Sequence, residues 1–327
     1  MDTSRSSGGA AVVAPPESRQ DLIRSALLTK KARVGEKVIV GSLMGSATLS
    51  VLITFGIVLS LLFPTIEFFK HVGLGEFLFG TEWTVSFGGK FDWNDKEYGA
   101  LALVSATLLT TVIALVIAVP LGLGAAIYLS EYASRRVRKI AKPMLEVLAG
   151  IPTVVYGFLA LTIITPIIKP IFGITGIYSV LSAGLVMGFM IVPTVASLSE
   201  DALTAVPLAL RQGSYALGAN RMRTTLRVVV PAAFSGIIAA IVLAISRAVG
   251  ETMIVAIAAG SQAVFILDPR DGAQTMTGFI AQVATGDAPT GSPVYYALFA
   301  IGSLLFVITM IINLISIRLV RKYRNVY

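Results

Sequence analysis

Six runs of apolar residues dominate the chain, near 41–66, 99–128, 144–168, 177–198, 232–260 and 294–317. Each is long enough to cross a hydrocarbon core of roughly 30 Å, which takes about 20 helical residues. Lipid offers the backbone no hydrogen-bond partners, so a spanning segment must satisfy its own amides and carbonyls, as a helix does. The fold class expected is therefore an all-α polytopic membrane protein with six transmembrane helices. Composition agrees, because 55% hydrophobic and 13% charged residues over 327 positions exclude an ordinary soluble globule, in which about 25% would be charged. The absence of cysteine excludes disulfides, thiol catalysis and thiolate metal sites, and the single histidine, His71, leaves almost no imidazole chemistry. No cofactor, metal site or catalytic residue is expected.

Orientation follows from where lysine and arginine fall. With a cytoplasmic N-terminus, 20 of the 26 lie in inside segments, five in outside loops, and Arg247 lies within a span. Such an excess on one side places both termini in the cytoplasm. The charge is spread over four membrane-edge segments and not gathered on a soluble face, so it argues for topology and against nucleic-acid binding. Residues 1–40 read as a cytoplasmic tail followed by a basic amphipathic helix over 20–37, with Leu22, Ile23, Leu27 and Leu28 on its apolar side. No cleavable signal peptide is expected at the start. Residues 41–98 hold the first span and an outer loop, and 319–327 form a cytoplasmic tail.

Within 236–260 the only formal charges are Arg247 and Glu251. Read as one continuous helix, the segment puts them a turn apart on the same face. Charges at mid-bilayer are costly and usually face a bundle interior. The guanidinium offers a planar fork of donors suited to an oxyanion, and Glu251 is expected to neutralise it when no anion is bound. A buried ion pair that only fixes helix packing is the alternative. Ser246 and Thr252 either add neutral donors or bond back to carbonyls. Thr153 and Tyr156, beside Pro152 and Gly157, are candidates to line the same path, because proline frees backbone groups toward a cavity. Ser105, Thr107, Thr110 and Thr111 serve either the path or helix–helix hydrogen bonding. Glycines at 41 and 45, and at 184 and 188, indicate close helix packing.

Two loops stand out. The outer one, 70–98, carries Trp83 and Trp93 with Glu76, Glu82, Asp92, Asp95 and Glu97. It reads either as a docking surface for an extracytoplasmic partner or as an interfacial aromatic belt with solvated charge. His71, at its start, has no second candidate ligand beside it. The inner loop, 200–231, is too polar to cross, and over 214–225 it reads as a short amphipathic helix, a turn and a second helix. Such an element lies along the membrane and offers one face to a soluble protein.

That loop resembles the cytoplasmic signature of permease subunits in binding-protein-dependent ABC importers: Glu-Ala-Ala, three residues, Gly, nine residues, an aliphatic, one residue, Leu-Pro. Gly218 matches the glycine, Val228 the aliphatic and Val230-Pro231 the final pair, whereas Gln212-Gly213-Ser214 stands where the family has Glu-Ala-Ala. The stretches 98–110 and 150–157, and Arg247-Ala248-Val249-Gly250-Glu251-Thr252-Met253, are similar to PstC-type permeases of phosphate-specific importers; the sister permease has Ala-Pro after Gly-Glu-Thr. The resemblance covers about 41–327. It implies a type I ABC importer permease fold with its transmembrane domain at 99–318, inorganic phosphate as substrate, and a cytoplasmic coupling helix. Ser214, Tyr215, Ala216, Leu217, Gly218, Ala219, Asn220, Arg221 and Pro231 would form the ATPase-coupling surface. It further implies a second homologous permease subunit, two ATP-binding subunits and an extracytoplasmic phosphate-binding protein as partners, besides membrane lipid. The chain has no phosphate-cradling loop for ATP, since Gly88-Gly89-Lys90-Phe91 lacks both the spacing and the hydroxyl. ATP hydrolysis is thus expected on another chain. An ion-coupled secondary anion transporter would carry broken or charged helices in both halves, and a membrane-embedded enzyme a cluster of Asp, Glu or His at one depth.

Overall fold

The computed structural model describes residues 34–85, 93, 97–286 and 288–322. The expected tail, most of the amphipathic helix at 20–37, and Asp92, Asp95 and 323–327 lie outside the described residues. Two units are distinguished, 1–58 and 59–327. Within 34–58 the chain is the first part of helix α1 (Val34–Phe69). Leu43, Met44, Leu52 and Phe55 there are all exposed, and a side chain at Gly41 or Gly45 would meet open space.

The second unit holds the remainder of α1 and the helices that follow. They are α2 (Leu74–Phe79), α3 (Leu101–Ile127), α4 (Arg135–Ala149), α5 (Thr153–Leu159), α6 (Thr165–Phe172) and α7 (Val180–Thr204). Next come α8 (Leu208–Ala216), α9 (Arg221–Thr224), α10 (Val230–Ala232), α11 (Phe234–Val249), α12 (Met253–Ala258), α13 (Met276–Thr285) and α14 (Pro293–Lys322). Three widened π-helical turns, 128–132, 160–164 and 225–229, extend α3, join α5 to α6 and join α9 to α10. Two of them come just before Pro166 and Pro231, whose missing amides leave carbonyls of the preceding turn without donors, a situation that a widened turn relieves.

Among the described residues five helices are long and apolar enough to span: Lys37–Phe69, Leu101–Tyr132, Thr153–Phe172, Val180–Thr204 and Pro293–Arg321. A sixth is the pair Arg221–Ala232 and Phe234–Val249, bent by 69°. Two expected spans are corrected. The third starts at Thr153, not at 144, because Gly150 ends α4 and Pro152 restarts the chain; proline pushes the residue before it out of the helical region. The fifth does not run to 260, because α11 stops at Val249 and Gly250 to Thr252 break it.

Helices α3 and α7 form the centre, and glycine brings them together. A β-carbon on Gly184 would stand 2.8 Å from the Ile113 side chain, and one on Gly188 3.0 Å from the Ala114 carbonyl oxygen. Small residues there let two helix backbones approach closely, as expected for this pair of glycines. Around the seam Ala106, Ala114, Ala118, Met187, Met190, Ile191 and Val195 make one buried core.

A second core contains what were expected to be surface aromatics. Trp83 is 5% exposed and meets Phe279 edge-on at 5.1 Å. Trp93 stacks on His71 at 4.3 Å, with 7° between the ring planes. Phe68, Phe77 and Tyr98 complete the cluster. Trp83 is therefore a core residue and not a surface one, and the rings of Trp83 and Trp93 pack against α13 and α14 through Phe279 and Tyr296. Gly80 and Gly99 abut there with no room for a side chain on either. Beside them Glu76, Glu82 and Glu97 line a cleft of about 420 Å³, and a hydrogen bond shared with Glu82 raises the pKa of Glu97.

Candidate functional site

The break after α11 sets the geometry around the two intramembrane charges. Arg247 sits in the last turn of α11, and its guanidinium donates to Thr194 Oγ1 of α7 at 3.1 Å. Glu251 lies beyond the helix end and is 9% exposed. Its Oε1 accepts from the amides of Met253 at 3.1 Å and Ile254 at 3.3 Å, so the carboxylate caps the start of α12, where loose amides favour negative charge. Its own carbonyl accepts from Thr277 Oγ1 of α13 at 2.6 Å. The expected same-face ion pair is therefore corrected. No ion pair between Arg247 and Glu251 is present among the described residues. The cause is the break at Gly250, which uncouples the two side chains from a common helical face.

The neighbouring candidates separate into different roles. Ser246 Oγ donates to Asn313 Oδ1 of α14 at 3.1 Å, while Thr252 turns back to the Gly250 carbonyl at 3.2 Å. Tyr156 is 9% exposed, and its hydroxyl donates to the Leu148 carbonyl at 3.0 Å, pinning the α4–α5 corner. Thr153 opens α5 and is half-buried. On α3, Thr107, Thr110 and Thr111 donate to carbonyls of their own helix, and Thr107 also accepts the Met276 amide at 3.0 Å. Ser105 takes the Ile266 amide at 3.3 Å. Ser105 and Thr107 thus bond to other segments, and Thr110 and Thr111 bond within α3. Thr194 and Asn313 escaped the sequence reading. The available signal was polarity inside an apolar run, strongest for Asn313, an amide within the last span about two turns from its C-terminal end.

At the opposite end of α7 the inner loop makes an angled hairpin of helices. The expected elements over 214–225 are shifted: the first helix begins at Leu208, directly after Pro207, and the turn occupies 217–220. Gly218 has φ +81°, a left-handed conformation that favours glycine at a helix end. Asn220 then caps α9, its Oδ1 accepting the Arg223 amide at 2.8 Å. Ser214 and Thr224 hydroxyls meet at 2.9 Å across the hairpin. Leu217, at the tip, is 91% exposed, and Leu208, Tyr215 and Met222 are also exposed. The hairpin is fixed to the bundle by Arg211, which reaches Glu131 Oε1 at 3.0 Å and the carbonyls of Val206 and Leu203 at 2.6 and 2.8 Å. Arg221 adds a cation–π contact with Tyr132, 5.1 Å from the ring centroid.

Helix α4 is fastened beside it. Lys142 Nζ bonds Glu200 at 2.8 Å and Asp201 at 2.9 Å, and these hydrogen bonds raise its pKa against the cost of partial burial. Arg138 donates to the carbonyls of Leu129 and Ser130. The membrane-edge ends of α3, α4 and α7 and the hairpin are thus one charged and hydrogen-bonded assembly.

Known proteins share both the sequence and the architecture. Residues 118–325 match the family model described as "Binding-protein-dependent transport system inner membrane component". The "Phosphate transport system permease protein PstC" of Haemophilus influenzae is 31% identical, over 91% of this chain and 99% of that protein. The "Probable ABC transporter permease protein YqgH" of Bacillus subtilis is 36% identical, over 78% of this chain and 83% of that protein. Among solved structures, a bacterial alginate ABC transporter in complex with an alginate pentasaccharide-bound periplasmic protein aligns with TM-score 0.58 at 15% identity, covering 93% of this chain and 96% of that one. The MetNI methionine ABC transporter in an inward-facing conformation aligns with TM-score 0.53 at 20% identity, over 69% of this chain and 95% of that one. At those identities the structures speak for the fold alone. An all-helical membrane bundle, a glycine-centred inner hairpin at the family's signature spacing and these matches lead to one assignment: the chain belongs to the binding-protein-dependent transport system inner membrane components, among the PstC-type permeases.

Proposed function

We propose that the chain is the translocation subunit of an ATP-driven importer of inorganic phosphate in the cytoplasmic membrane, with both termini on the cytoplasmic side. The observation that carries the reading is Arg247, a half-buried guanidinium that spends one donor on a threonine hydroxyl and has no carboxylate within 4.0 Å among the described residues. Its remaining donors suit a tetrahedral oxyanion, to which a guanidinium binds through paired, charge-assisted hydrogen bonds. Thr194 and Tyr156 steady the region around it, and Ser246, Thr252 and Thr153 supply neutral polar groups along the same path. Glu251 shapes the site by holding the α11–α12 break open, and competition with the anion for Arg247 is not its role. One chain has too few lining residues to enclose a guarded path, so a second homologous permease completes it. A phosphate-binding protein delivers substrate from outside.

Energy comes from two ATP-binding subunits that take the hairpin from Ser214 to Arg221, with Leu217 at its tip, into a surface cleft. Arg211 and Glu131 transmit their closure to α3 and α7. Family membership sets aside an ion-coupled secondary transporter and a membrane-embedded enzyme. The test is phosphate uptake by an Arg247→Gln complex that still assembles and hydrolyses ATP. Uptake is expected to fall by at least tenfold, with Arg247→Lys intermediate; uptake equal to the unmodified complex overturns the assignment.

A further inference from the structure

Helix α4 has no buried residue, yet it is fully two-sided. Val137, Ile140, Met144, Val147 and Leu148 fall within one arc of its surface and are 39%, 64%, 60%, 71% and 43% exposed. The opposite arc carries Arg135, Arg138, Lys139 and Lys142, and Arg136 flanks the apolar arc beside Val147. Arg138 and Lys142 are consumed by α3 and α7. Arg135, Arg136 and Lys139 are exposed and have no acidic partner within 4.0 Å among the described residues. All three border a cleft of about 640 Å³ with Pro143 and Glu146.

We propose that α4 is a docking surface for anionic phospholipid, whose acyl chains lie along Val137, Ile140, Met144 and Val147 while its phosphate headgroup is held by Arg135, Arg136 and Lys139. Placement supports this. The helix joins the end of one span at Tyr132 to the start of the next at Thr153, which sets it at the depth where acyl chains give way to headgroups. A helix apolar on one arc and cationic on the other satisfies both halves only at such a boundary. A soluble partner would have to match the apolar arc and the three cations together, whereas one lipid class does so by its own structure. A cation near an anionic bilayer surface strengthens association by about fivefold. The inference goes beyond the transport reading and does not depend on which face of the membrane is cytoplasmic, provided that both leaflets are given the same lipid.

The test uses the full chain in nanodiscs of phosphatidylcholine, alone or mixed equally with phosphatidylglycerol, and trace spin-labelled lipid of either headgroup. Phosphatidylglycerol is expected to be motionally restricted by the protein several-fold more than phosphatidylcholine. That preference should weaken at high salt and be largely lost in Arg135→Gln/Arg136→Gln/Lys139→Gln. A charge-matched control, Arg223→Gln/Arg227→Gln/Arg318→Gln, should retain it. Because the chain has no cysteine, Met144→Cys with a fluorophore gives a second reading free of charge changes, and lipids brominated on the acyl chain should quench it. Equal restriction of the two lipids, equal loss in the control, displacement by millimolar inorganic phosphate, or a Met144 label untouched by brominated lipid would each overturn the proposal.

Discussion

Replacing Arg211 with alanine is the most informative perturbation of the charged assembly at the membrane edge. The wild-type side chain is 14% exposed and its partner Glu131 5% exposed, so the pair is shielded enough for its removal to matter. Arg211→Ala deletes the ion pair and two further hydrogen bonds, to Val206 and Leu203, and leaves a buried carboxylate without its counter-charge. Breaking a buried pair from one side typically costs 3–5 kcal/mol, roughly the range expected here. Glu131→Gln should cost less, about 1–3 kcal/mol, because the arginine keeps both carbonyls. The double variant Glu131→Gln/Arg211→Ala should fall short of the sum by about 1–3 kcal/mol, since the two residues are in direct contact. Reversible unfolding in mixed detergent gives the cycle, and ATPase activity against phosphate uptake gives its functional side. Uptake should drop more than hydrolysis as the hairpin loses its anchor. A loss under about 1 kcal/mol for Arg211→Ala, or strictly additive single changes, would refute the idea that this pair ties the hairpin to the bundle.

Two further outcomes follow from the packing and the outer cleft. Gly188→Leu should destabilise the bundle by about 1–3 kcal/mol or more, as its first carbon already falls 3.0 Å from the Ala114 oxygen and the Ile117 side chain; thermal unfolding of the purified chain checks this, and an unchanged midpoint contradicts the close α3–α7 seam. Glu97, whose carboxyl the Glu82 hydrogen bond holds above the usual carboxylate range, binds its proton more tightly folded than unfolded. Its contribution is present at low pH and is lost as pH rises through the folded value, so unfolding midpoints of the wild type should decline across the mildly acidic range and those of Glu97→Gln should do so less.

Much of this was legible in the sequence, and what was missed has a common cause. Length and hydropathy are enough to find the apolar runs, because lipid allows them one local structure. Gly184 and Gly188 likewise announced themselves, since close approach of two helices calls for small residues, and Gly218 was marked by its place in the family signature. The errors came where local pattern and tertiary demand differ. Residues 144–149 are apolar but for Glu146, and periodicity over a short stretch does not separate an interfacial helix from the start of a span. The run 250–260 is apolar enough to cross, yet Gly250 and the Glu251 carboxylate end one helix and cap another, a contest settled by Thr277 and α13 from 26 residues away. The aromatics at 83 and 93 looked superficial because their partners, Phe68, Tyr98, Phe279 and Tyr296, are distant in the chain.

The widened turn at 160–164 has a geometric outcome for the whole third span. On an unbroken α-helix Tyr156 and Thr165, nine positions apart, would point about 180° from one another. One additional residue in the circuit removes about 100° of that separation. Tyr156, Ala160, Thr165 and Ile168 are consequently all shielded, along a single meridian, and the Thr165 hydroxyl reaches the oxygen five positions back, at Ala160. A wheel drawn with uniform phase would assign the halves of this rod to different neighbours; a local slip in winding aligns them.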